Sequence, residues 1–169
     1  RTDAAGKLAK ALESAHIGGV TTNRDFLINC LKSSEFIDGN TTTDFIDRVN
    51  PARKLTLDQD SLEHVTTVAT LWLQARNRDN ANVANFMPSG WTNGRLPSQV
   101  VVFEHEGSEI KIGYKLMRDG SFKLSTGKIA NIYSADNHGI DCVYDDKRHY
   151  AKITKDAGKL LVHMPYGDV

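Results

Sequence analysis

Six histidines and two cysteines are the residues of this 169-residue chain best suited to proton transfer, metal binding or thiol chemistry. Asp146 stands three residues before His149, a spacing at which a carboxylate can orient an imidazole for acid–base work. Both lie in a charged turn, so a solvated pair is expected there. His105, His149 and His163 fall on separate strand-like segments and would meet at a metal only if the strand order joined them. Zinc sites usually also show close ligand spacing, which these three lack. Asp58, Asp60 and Glu63 gather at the start of a long helical pattern, where one could aim a carboxylate at a thioester. Cys30 and Cys142 lie far apart among apolar neighbours, which suits buried reduced thiols. Phosphate-binding glycine loops, Gly-x-Ser-x-Gly and His-Glu-x-x-His are all missing from the sequence. No catalytic, cofactor-binding or metal-ligating residue is therefore assigned.

The remaining candidates bind rather than react. Phe86, Met87 and Trp91 sit in a stretch rich in Asn, Pro and Gly, where a mere spacer would not need them. Apolar and aromatic groups on such a loop gain most from burial at a protein interface. Trp91 could alternatively cap one end of the fold. Lys plus Arg number 21, as do Asp plus Glu, so the formal charge is zero and no basic stripe offers itself to phosphates. Nucleic acid is thus excluded as a partner. The sequence lacks an apolar run long enough to span a bilayer and a signal-like start, which predicts a cytoplasmic protein with no membrane partner. Arg1 opens directly in a helical pattern and Val169 follows a strand-like run, so both ends are expected to be cut from a longer chain.

The elements that must position these groups change character near residue 98. Residues 3–14 place Ala4, Leu8, Ala11 and Leu12 on one helical face. Thr22 and Asp25 resemble a capping box for a second helix carrying Phe26, Leu27, Cys30 and Leu31. A turn at Asp38-Gly39 and a short helix over 43–49 follow, before Asn50-Pro51 breaks the pattern. A helix over 58–76 then carries Leu62, Val65, Val68, Ala69, Trp72 and Ala75 as one stripe, widened by Leu71 and Leu73. A helix apolar over so much of its girth is expected to be enclosed. After a loop over 77–98, long enough to be functional, come seven alternating runs separated by turns such as Asp119-Gly120. The fold class is α+β: N-terminal helices, then a long central helix wrapped by an antiparallel β-barrel of seven or eight strands.

The stretch Gly19-Val20-Thr21-Thr22-Asn23-Arg24-Asp25-Phe26-Leu27, with Phe36, Gly39, Thr43 and Phe45-Ile46, resembles the C-terminal end of biotin carboxylase domains. Pro88-Ser89-Gly90-Trp91-Thr92-Asn93 resembles a Gly-Trp-Arg-Asn element of the linking (BT) domain in acyl-CoA carboxylases, with Thr92 replacing the arginine. The resemblance implies a helical tail of a biotin carboxylase domain over 1–49, a linker over 50–57 and a BT-like domain over 58–169. Within the last it implies a helix over 58–76, a hook-like loop over 77–98 and barrel strands over 99–169. It implies a non-catalytic segment that links the biotin carboxylase, the biotin carrier and the carboxyltransferase (beta) subunit of a bacterial enzyme. The expected partners are that subunit, contacted through the hook, and other domains of the parent chain. ATP, Mg and biotin would serve the parent enzyme. None is expected to bind this segment, and none of its three methionines precedes a lysine as at a Met-Lys biotinylation site. The alternatives are a free-standing hot-dog-like acyl-CoA thioesterase and a ligand-binding barrel.

Overall fold

A computed structural model describes residues 1–18, 20–54, 56–83, 87, 94 and 97–164, and the backbone of 167 and 168. The chain divides into two compact units, the first holding residues 1–58 and the second 59–164.

The first unit is helical: α1 (Thr2–Ser14), α2 (Arg24–Lys32), α3 (Ser34–Asp38) and α4 (Phe45–Val49). On α1 the buried residues are Ala5 and Ala9, while Ala4 and Leu8 are exposed. The stripe read from the sequence is thus rotated by one residue, because small alanines permit the close approach of α2 that a leucine would obstruct. The capping box does not form. Thr22 Oγ1 instead accepts from the Arg24 amide at 3.4 Å, and Asp25 turns to the buried Arg24 guanidinium at 3.1 Å. On α2, Ile28 and Cys30 are buried and Leu27 is exposed. Ser33 caps α3, its hydroxyl accepting from the Phe36 amide at 3.3 Å, and Gly39 closes that helix at φ 92°, where a side chain would be strained. Asn50, also left-handed, ends α4 just before Pro51.

The second unit is built on α5 (Gln59–Asp79) and the strands β1 (Gln99–His105), β2 (Ser108–Leu116), β3 (Phe122–Leu124), β4 (Ile129–Ala135), β5 (Gly139–Tyr144), β6 (Lys147–Asp156) and β7 (Lys159–Met164). The backbone of Gly167–Asp168, grouped with the first unit, is extended as β8. Helix α5 runs three residues past the expected 58–76: the Asn80 amide reaches the Arg76 carbonyl at 3.0 Å, and Arg76 pairs with Asp79 at 2.8 Å. Those last residues are polar, so apolar periodicity could not register them. The helix thus takes in the first residues of the stretch 77–98 that the sequence reads as a loop.

Every residue from Val65 to Trp72 is buried, on all sides of the helix. Two of the threonines in that run satisfy themselves against the helix. Thr66 Oγ1 donates to the Leu62 carbonyl at 2.8 Å and Thr70 Oγ1 to that of Thr66 at 2.8 Å. Helix α5 packs against β2, β4, β5 and β7.

The strands form a curled antiparallel meander, a half-barrel in which each pairs with its chain neighbour. Alternation sets the faces. Ile112 and Tyr114 on β2, Cys142 and Tyr144 on β5, and His149, Ala151 and Ile153 on β6 are buried, while Lys111, Lys115 and Lys152 face out. Two-residue turns with both residues at positive φ join β1 to β2 (Glu106-Gly107), β5 to β6 (Asp145-Asp146) and β6 to β7 (Ala157-Gly158). This geometry matches the right-handed twist of the strands it connects. A bulge between Ile132 and Ser134 tightens the curl at β4. At the start of β5 the backbones come so close that a Cβ on Gly139 would lie 2.2 Å from the Ala151 carbonyl oxygen.

Candidate functional site

Of the three residues expected to meet a partner, Phe86 and Trp91 lie outside the described residues, as do Gly19 and Leu55. Met87 is half-buried.

The strand order leaves β1 and β7 unpaired with each other. A groove of about 620 Å³ opens between β1 and the β6–β7 hairpin, floored by Val65, Ala69 and Leu73 of α5. Val101, Phe103 and Val162 form its apolar walls, and Glu104, His105, Lys155 and Lys159 also line it. Such a lining can hold apolar groups. The thioesterase alternative requires a carboxylate at the helix start aimed into a pocket. Glu63 is instead engaged with β5, its Oε1 accepting from the Tyr144 hydroxyl at 3.2 Å. Cys142 is fully buried and burial pushes its thiol up to about 12, so it stays protonated and unreactive. Cys30 is likewise a buried thiol raised by burial.

The histidines are arranged differently from the sequence reading. His149 does not stand in the turn as a solvated partner of Asp146. It is 7 % exposed, on the inner face of β6 opposite Cys142. His163 on β7 lies opposite Lys152, and His105 lines the groove. Among the described residues no group of three or more His, Cys, Asp or Glu side chains is placed to hold a metal.

The partner of His149 is His64 on α5, their Nε2 atoms 2.9 Å apart and their ring centroids 4.2 Å apart. The Tyr144 ring meets His64 edge-on at 4.7 Å. Burial foremost, then the nearby His149 and Lys128, lower His64 to about 4, against an opposing pull from Asp145. Burial also lowers His149. His64 escaped the sequence reading as a site residue, yet a signal was present: it precedes Val68 and Leu71 by four and seven residues, on a buried face.

Residues 1–48 match the family model of the biotin carboxylase C-terminal domain. That match supports a biotin-dependent carboxylase as the kind of protein to which the helical unit belongs. No curated protein matches the chain. No helix among the described residues is long and apolar enough to cross a membrane.

Proposed function

We propose that the chain is a non-catalytic interaction segment of a biotin-dependent acyl-CoA carboxylase, linking its biotin carboxylase, its biotin carrier and its carboxyltransferase subunit. One observation carries this reading. A segment similar to the biotin carboxylase C-terminal domain is followed, in the same chain, by a long buried helix and a curled antiparallel sheet. That order is the one the BT resemblance implies. In this reading the sheet wraps α5, residues 50–57 are the linker, and residues 80–98 are the hook that meets the carboxyltransferase. ATP and Mg act in the biotin carboxylase portion of the parent protein and biotin on its carrier, all in the bacterial cytoplasm. Phe86, Met87 and Trp91 supply the apolar contacts, since aromatic and thioether groups dominate the energy of protein interfaces.

Pull-down of a carboxyltransferase subunit by the 169-residue chain tests this. The native chain is expected to retain the subunit. The double substitution Phe86→Ser, Met87→Ser is expected to lose at least about tenfold in affinity, as removal of two apolar anchors does. Its circular dichroism should match that of the native chain, so that the loss reports contact and not folding. Undiminished assembly by the doubly substituted chain would reduce the hook to a connector and remove this function from it.

A further inference from the structure

We propose that His64 and His149 form an acid-sensitive latch that fastens the N-terminal half of α5 to the inner face of the sheet, independently of any role in a carboxylase. Two imidazole nitrogens 2.9 Å apart form a hydrogen bond only if one carries a proton and the other offers a lone pair. A neutral pair meets that condition, and so does a pair holding one extra proton. A pair holding two extra protons cannot: two N–H groups then face each other and two positive charges share a site buried on the β6 side. The first proton leaves the hydrogen bond possible although burial disfavours it, and the second breaks the contact.

The surroundings favour this behaviour. From α5 itself, Glu63 accepts the Tyr144 hydroxyl. From β5, Tyr144 packs its ring edge-on against His64. From the turn before β4, Lys128 lies 5.2 Å from the Tyr144 ring and pairs with Asp145 of the β5–β6 turn at 3.2 Å. Lys147, at the start of β6, adds a second positive charge, and it and Lys128 both act against protonation of His64. Asp145 offsets them only in part, because it is already engaged with Lys128. Glu63 and His64 are adjacent residues of α5, so the same turn of helix is held to β5 through Tyr144 and to β6 through His149. Loss of the histidine contact leaves the Glu63–Tyr144 bond without its neighbour.

The sign follows from linkage. Both imidazoles are lowered by the fold, so the folded state favours their neutral forms. The stability they contribute is complete above the ordinary histidine value of about 6.5 and is lost as pH falls from there toward the lowered values. With His64 lowered to about 4, the protection of amides around His64 against hydrogen exchange should fall about thirtyfold between pH 7.5 and 5, after correction for the intrinsic pH dependence.

The test uses the intact chain. Proton NMR titration should show the His64 and His149 ring signals moving as a coupled pair, with apparent values below 6.5. Hydrogen exchange should show the loss of protection at Glu63 to Val68. His64→Gln and His149→Gln, which retain a hydrogen-bonding side chain without the charge, should each reduce that pH effect, and the double variant, which keeps neither imidazole, should bring it below about threefold. Independent titration of both rings near 6.5 would overturn the latch. So would a native chain whose protection does not change with pH, or an equal loss in both glutamine variants, which would assign the effect to other groups. Should either variant fail to fold, the titration and exchange of the native chain decide by themselves.

Discussion

A buried side chain is judged by whether its polar atoms find partners, and among the described residues Thr67 is one whose hydroxyl does not. It is 0 % exposed, and its hydroxyl has no hydrogen-bond partner among the described residues, unlike those of Thr66 and Thr70 on the same helix. Burying an unsatisfied hydroxyl costs about 1–3 kcal/mol, and an isosteric methyl carries no such penalty. Thr67→Val is therefore expected to stabilise the second unit by about 1 kcal/mol in urea unfolding, with the slope unchanged. A loss of stability would mean that the hydroxyl does find a partner. The candidate site was only partly legible at this scale. His149 was read as solvated because Asp145, Asp146 and Lys147 flank it in sequence. Side chains alternate along a strand, so beyond the outward Arg148 the chain points inward at His149. The imidazole partner comes from 85 residues earlier, a distance no local pattern spans.

At the scale of elements, α5 is the part whose burial the apolar pattern announced, and Trp72 is its anchor. The indole is 4 % exposed and its Nε1 donates to the Asp136 carbonyl at 2.8 Å, tying the helix to the β4–β5 turn. Trp72→Ala removes that bond and opens a cavity. It should cost about 3–5 kcal/mol, as large-to-small changes in well-packed cores do. Denaturant unfolding that showed a loss under about 1 kcal/mol would place the indole at a surface that can collapse or hydrate. All seven strands of the meander were legible because each is a short apolar or alternating run bounded by a turn that carries Gly, Asp or Asn. The Ala157-Gly158 turn has no Asn-Gly or Asp-Gly signature in the sequence. A left-handed alanine carries no sequence signal, and it is the pairing of Asp156 with Lys159 that demands the conformation. Helix α3 was read as a bare turn, since five residues are too few to show a period.

For the whole molecule the decisive question is chemistry or assembly. The apolar groove between β1 and the β6–β7 hairpin is floored by Val65, Ala69 and Leu73, and the nearest helix carboxylate in sequence, Glu63, is bound to Tyr144. Thioester hydrolysis needs a base or nucleophile aimed at the carbonyl, with the acyl group held beside it. The purified chain is accordingly expected not to raise free thiol above the uncatalysed rate when given acetyl- or propionyl-CoA. Turnover abolished by Glu63→Gln would restore the thioesterase reading and displace the proposed scaffold role. Turnover indifferent to every substitution in the chain would indicate a contaminant.

The sequence by itself determined the longer helices and the seven strands of the meander, because period, turn chemistry and breakers are local properties of neighbouring residues. It also carried the likeness of the first 48 residues to a biotin carboxylase C-terminal domain. Only the tertiary structure decided that Ala5 and Ala9, not Ala4 and Leu8, are the buried residues of α1. It alone opened a groove where β1 and β7 do not pair, and it alone brought His64 to His149. These are relations between residues far apart in the chain, set by how the sheet curls and which backbones approach, and no pattern confined to one segment encodes them.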